Sequence, residues 1–522
     1  MQITTFAAID IGSYEVGMKI FELSSGKGIR EIDHIRYGIE LGRDTYVAGK
    51  ISNEMLEELC LVLLDFKRIM KEYQVDGYRA CATSAIRETR DLLLILDKIR
   101  VRTDIEVEVL SNSEQRFLGY KSIAAIGDSF DKIIRRSTAI VDVGGGSVQI
   151  SLFDKDALVT TQNLKIGMLR IRERLSRVEQ QTTNFASVLN EMISDELRSY
   201  KKLYLKDRVI ENMILTGDYV RHFLDREDYP GAEDLAHKAD GITCMNREAF
   251  SRLYEQAMSV TASQMAERFQ MPAEHARLIL PSIVIYQRLI EETGAQTIWL
   301  PGLNMSDGMA YDYAEKKKIF KSRHNFENDI VEAAKNIAKR YQSSRSHVAG
   351  TENLALTIFD KMKEIHGMGR RERLLLQISV ILHDCGKYIN MNRTSECSYS
   401  IIMATEIIGL SHREREIIAN AVRFNTREFA SFEEVSFGSG LERADYLLIA
   451  KISAILRVAN AMDRSHKQKF KNVKVTRKEK ELVVQVDTVE DISLEQGLFS
   501  DKAEFFETVF SVRPVIRQKK HI

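Results

Sequence analysis

The chain of 522 residues carries 75 Lys and Arg against 75 Asp and Glu, so no global field draws it onto nucleic acid or an anionic membrane. Hydrophobic residues at 44% and charged residues at 29% are the composition of a soluble globular protein, and the length exceeds what one core serves at roughly 150 residues per domain. The longest apolar runs, such as 92–96, fall far short of a bilayer span, and the first ten residues lack a charged stretch leading into an apolar one, which gives the expectation of a cytoplasmic protein with no membrane contact.

The first informative segment reads Phe6-Ala7-Ala8-Ile9-Asp10-Ile11-Gly12-Ser13 and continues Val16-Gly17-Met18-Lys19-Ile20-Phe21. Two β-rich runs joined by a tight polar turn predict a hairpin with an acid and a glycine at its tip. A helical stretch over 53–73 follows. The design then returns at Ala139-Ile140-Val141-Asp142-Val143-Gly144-Gly145-Gly146-Ser147, with the alternating Val148-Gln149-Ile150-Ser151-Leu152-Phe153 behind it. A repeated hairpin predicts two similar α/β halves, each sheet covered by helices, with a cleft between them as the default site.

Later strands with glycine turns are expected at 214–218 and 297–302, and helix periods dominate from 325 to 461 with almost no alternation. Segments 473–476 and 482–486 alternate around a charged turn, and 493–513 offers helical spacing, so a small α+β module ends the chain. Cys60, Cys81, Cys244, Cys385 and Cys397 are odd in number with no CxxC spacing, which fits reduced thiols rather than a disulfide framework or zinc knuckle.

Glycines in a strand turn let backbone N–H groups approach an anion closely, and successive inward N–H groups form a nest for phosphate oxygens. Gly12 with Ser13, and Gly144, Gly145 and Gly146 with Ser147, suit that role. Asp10 and Asp142 stand just ahead of these turns, where they would repel bare phosphate unless they hold a cation such as Mg²⁺ or Mn²⁺ or position water for in-line attack.

Asp10-Ile11-Gly12-Ser13, Ala82-Thr83-Ser84-Ala85-Ile86-Arg87-Glu88, Ser111-Asn112-Ser113-Glu114-Gln115 and Asp142-Val143-Gly144-Gly145-Gly146-Ser147 occur in an order that resembles the Ppx/GppA family of exopolyphosphatases and guanosine pentaphosphate phosphohydrolases. The resemblance implies duplicated actin-like ATPase (ribonuclease H-like) α/β domains, then an all-α HD-type domain and the α+β tail. The segments are 1–125, 126–313, 320–467 and 468–522. It implies Glu114 as the base that activates water, Arg87 as the group offsetting charge on the transferring phosphoryl, and Lys165 as a contact to a downstream phosphate. It also implies inorganic polyphosphate or a guanosine polyphosphate nucleotide as the substrate, and a homodimer as the assembly.

This chain departs from the family pattern at four places around the expected cleft. Tyr14 and Glu15 replace Asn-Ser, and Gln149 replaces the glutamate of Ser-Thr-Glu. Asp218 and Tyr219 stand in a Gly-Gly-Thr loop, and an Arg-Glu pair is absent between Leu303 and Gly308. An alternative expectation is therefore a protein that binds polyphosphate or guanosine polyphosphate without hydrolysing it. Downstream, Ile381-Leu382-His383-Asp384-Cys385-Gly386-Lys387 resembles an HD-superfamily helix, in which His347, His383, Asp384 and Asp463 form the divalent-metal set. Histidine with carboxylate suits Mn²⁺, Fe²⁺ or Mg²⁺, and a third expectation places phosphohydrolase chemistry there.

Overall fold

The computed structural model describes residues 3–26, 28–155, 157–179, 185–217, 236–268, 273–321, 324–470 and 473–519. Asp218 and Tyr219 lie outside the described residues. The chain forms two compact units, Met1–Asn325 and Phe326–Ile522, where the sequence reading divides it into four segments.

In the first unit, β1 (Thr4–Ile11), β2 (Glu15–Ser24) and β3 (Gly28–Gly38) run antiparallel, and β4 (Gly77–Ala82) and β5 (Val107–Val109) extend the sheet in parallel beyond β1, giving the order β3-β2-β1-β4-β5. Phe6, Ala7, Ala8 and Ile9 in succession are buried, as expected of a central strand covered on both faces. The other elements of this unit are β6 (Thr138–Val143), β7 (Val148–Asp154), β8 (Ala157–Leu164), β9 (Asn212–Thr216), β10 (His237–Ala239), β11 (Ile242–Asn246) and β12 (Thr297–Leu300), in the order β10-β11-β12-β9-β6-β7-β8. Strands β8-β7-β6-β9-β12 repeat the first sheet strand for strand and direction for direction. The edge pair β10 and β11 is an addition. Strand β3 escapes sequence reading because its face is largely exposed and charged.

Helices Asn53–Glu72 and Leu92–Thr103 cover one face of the first sheet through Leu59, Leu63, Phe66, Ile95 and Ile99. Its other face receives Asn112–Ala124 and Met305–Lys316, with Leu118, Met305 and Met309 packed on Phe6, Ala8 and Phe21. Helix Met305–Lys316 thus serves the first sheet, although the segment 126–313 assigned nearly all of it to the second half. The apolar face of β1 needs a cover that residues 1–125 do not fully supply. At Gly308 an added Cβ would collide with the Leu118 carbonyl oxygen, so the two helices touch backbone to backbone.

In the second unit the described elements from 326 to 461 are helical, among them Arg345–Lys361, Arg370–Leu382 and Arg443–Ala461. The three-stranded sheet β13 (Val473–Arg477), β14 (Glu481–Val486) and β15 (Arg513–Gln518) follows, with helix Ser493–Phe510 between β14 and β15. That helix stops where Ser511 turns left-handed at φ 56°, so β15 replaces the helical continuation expected to 513. Among the described residues no helix is long and apolar enough to cross a membrane.

Candidate active site

The two hairpin turns are closed by the same bond: Gly12 N–H donates to Glu15 O at 2.9 Å, and Gly144 N–H to Ser147 O at 2.9 Å. This equivalence matches Asp10 to Asp142, Ser13 to Gly145 and Glu15 to Ser147. Both turns line one cavity, which Asp10, Asp142, Gly12, Ser13 and Gly144 to Ser147 all reach. An added Cβ at Gly145 would lie 3.0 Å from Ser13 Cβ, and one at Gly146 would collide with the Tyr46 hydroxyl. Glycine is what lets the turns meet.

A triangle of hydroxyls braces the junction, with Ser13 Oγ 2.7 Å from Tyr46 Oη and 2.9 Å from Ser84 Oγ, and Tyr46 Oη 2.8 Å from Ser84 Oγ. Arg170 lies over the Tyr46 ring, donates from Nε to Gly146 O at 2.8 Å, and pairs with Glu88. The glycine turn is thereby held from outside the cavity.

Burial pushes Asp10 up to about 7, with Glu15 and Asp142 adding to the effect. Burial likewise pushes Asp142 up to about 6, against the opposing pull of Thr216 and Arg116. Asp10 Oδ1 is shielded from solvent and has no hydrogen-bond partner. A partnerless buried oxygen beside a second carboxylate is the donor set a divalent cation satisfies, so these residues fit the cation expected here.

Three expected site residues are placed differently. Glu114 Oε2 accepts from Ser111 N at 3.0 Å and from Ser111 Oγ at 2.7 Å, closing a capping box at the head of Asn112–Ala124; Gln115 and Gly119 of that helix line the cavity, and Glu114 does not. Arg87 donates to Leu110 O and Asn112 Oδ1, both at 2.5 Å, which ties the loop ahead of the helix rather than facing the cavity. Lys165 is exposed beyond β8 and also stands off the lining. Tyr14 lines the cavity beside the first turn and also packs against Met168, Leu169 and Leu278. Gln149 lies opposite Asp142 in the β6–β7 register, buried, with neither amide atom hydrogen-bonded.

The lining also includes residues that sequence reading missed: His34 and Arg36 on β3, Ser84 at a short helix start, Thr216 at the end of β9, and Asn304 and Ser306. Legible signals were Ser84, inside the quoted Thr-Ser-Ala stretch, and the 303–308 loop that holds Asn304 and Ser306. Strand β3 offered none, because a charged edge strand has no apolar alternation.

In the second unit, His347, His383 and Asp384 are buried with ligand atoms all within 4.8 Å of one another. His347 Nδ1 lies 2.7 Å from Asp463 Oδ2, and His383 Nδ1 lies 2.6 Å from Val380 O. Both Nδ1 atoms are therefore the protonated ones, which turns the Nε2 lone pairs toward each other at 3.2 Å. Metal–nitrogen bonds of about 2.0–2.1 Å leave such a gap, so the set fits a divalent cation. Asp463 orients His347 from behind instead of joining the cluster, a correction to the expected four ligands. Although burial opposes it, His383 and Lys387 hold the Asp384 carboxyl below its usual range, and Lys387 Nζ reaches Asp384 Oδ2 at 2.5 Å.

Comparison with known proteins agrees with this architecture. The profile of the Ppx/GppA phosphatase family matches residues 20–317, and that of Ppx/GppA phosphatase, domain III, matches residues 331–501. The chain is 22% identical over 459 residues to the guanosine-5'-triphosphate,3'-diphosphate pyrophosphatase of Photobacterium profundum, covering 86% of each. It is 20% identical over 291 residues to exopolyphosphatase 1 of Mycobacterium leprae, covering 56% of this chain and 84% of that one. Among solved structures it is similar to an exopolyphosphatase of Cytophaga hutchinsonii, with a TM-score of 0.51 and 17% identity over 60% of this chain and 99% of that one. The likeness bears out the duplicated actin-like ATPase-type fold.

Proposed function

Because the chain belongs to the Ppx/GppA phosphatase family, we propose that its first unit is a divalent-metal-dependent phosphohydrolase that removes the terminal phosphate from inorganic polyphosphate or guanosine pentaphosphate. The observation that carries this reading is the meeting of two identically closed glycine turns in one cavity with two half-buried carboxylates.

Asp10 and Asp142 would hold the cation, which when bound neutralises phosphoryl oxygens and acidifies water. The glycine turns offer backbone N–H groups to the terminal phosphate, and the Ser13 and Ser84 hydroxyls stand beside them as donors. The carboxylates among the lining residues are Asp10, Glu15 and Asp142. Acceptance of the water proton falls to whichever of these carboxylates the cation leaves free.

The test is phosphate release from polyphosphate and from guanosine pentaphosphate, with Mg²⁺ or Mn²⁺ and after chelation. Release from at least one substrate, abolished by chelation and lowered roughly 10²- to 10⁴-fold in Asp142→Asn, is the expected result. A second reading, binding without turnover, draws on Gln149 and on the capping role of Glu114. Tight binding with no release would select it. The resemblance also implies a homodimer, which light scattering checks. The second-unit cluster we assign to a divalent metal, without phosphate chemistry.

A further inference from the structure

Strand β3 contributes to the cavity in a way the family resemblance does not describe. Asp10, Gly17 and Arg36 are register partners across β1, β2 and β3, so their side-chain directions share one face of the sheet. The middle member has no side chain. An added Cβ at Gly17 would lie 3.8 Å from Arg36 Cγ and 4.0 Å from His34 Nε2, so both side chains lie over the glycine. Gly17, His34 and Arg36 all line the cavity. Of the Lys and Arg side chains among the described residues, Arg36 is the one that reaches this lining.

We infer that Arg36, assisted by His34, forms a subsite for the phosphoryl groups that follow the terminal one in a linear polyphosphate or a nucleoside 5′-triphosphate. The inference rests on the phosphatase reading of the cleft. The terminal phosphate sits where the glycine turns and the two carboxylates meet, and a cation there neutralises one end of the substrate alone. The next phosphoryl groups carry further negative charge past Asp10 and Glu15, which repel it. Guanidinium is the group that offsets that charge with paired N–H donors, and Gly17 gives it a clear path along the sheet. The exposed position of Arg36 on β3 keeps this subsite open to a long chain.

Binding separates this inference from turnover. With Mg²⁺ present, calorimetric titration of the full chain with tripolyphosphate and with orthophosphate is compared between wild type and Arg36→Ala. Loss of one charge-assisted contact should weaken tripolyphosphate binding about tenfold or more, leave orthophosphate binding within about twofold, and be partly restored in Arg36→Lys. In turnover, KM for polyphosphate should rise by a similar factor while kcat changes little. Equal weakening of both probes, or none, overturns the subsite. A wild type that binds tripolyphosphate through Arg36 yet releases no phosphate would sink the hydrolytic reading and leave the subsite standing.

Discussion

A carboxylate buried beside another carboxylate is costly to ionise, and Asp10 and Asp142 share that cost. Their folded values of about 7 and about 6 lie above the ordinary 3.8, so between about pH 4 and pH 7 the native chain binds more protons than the unfolded one. Their contribution to the stability of the metal-free protein therefore falls as pH rises through this window. Thermal melting after chelation should show a Tm contribution that declines from about pH 4 to pH 7, flattened in Asp10→Asn and suppressed by added Mg²⁺. A wild-type profile no steeper than that of Asp10→Asn would contradict the buried pair. At Glu114 the two roles separate cleanly. Glutamine also serves at the third position of a capping box, so Glu114→Gln should keep both the fold and phosphate release within about twofold, whereas a residue acting as base would lose on the order of 10²-fold or more.

Elements are fixed here by contacts that tolerate little change. Removing the capping box with Ser111→Ala should cost about 1 kcal/mol, read as a modest drop in denaturation midpoint with the cavity intact. Gly308→Ala acts on two helices at once, because the new methyl meets the Leu118 carbonyl. It should cost about 1–3 kcal/mol or more, and an unchanged melting curve would mean that the helices are not in backbone contact. The capping box and both glycine turns were readable as local patterns. The partner of Gly308 was not, since Leu118 is far away in sequence.

Over the whole molecule, the proposed cleft chemistry belongs to the first unit, and the candidate metal cluster of the second has its own test. In the full chain, His383→Ala combined with Asp384→Ala should leave phosphate release within about twofold while the bound metal per chain falls. A collapse of phosphate release in a variant that still melts cooperatively would move catalysis into the second unit. The two matched profiles, over 20–317 and 331–501, respect the division into units.

The sequence by itself determined what is local and periodic: the two hairpins with their acids and glycines, the helical character of 325–461, and the His-Asp pair at 383–384. Hydrogen bonding within a turn and burial along one strand leave their mark on adjacent residues, so these could be read directly. Only the tertiary structure decided which side chains face the cavity. It turned Glu114 to its own helix cap and Arg87 to a loop carbonyl, set Asp463 behind His347, and brought Arg36 over Gly17 from an edge strand with no apolar signature. Those outcomes depend on register between distant strands and on competition for hydrogen-bond partners, which no single stretch of sequence contains.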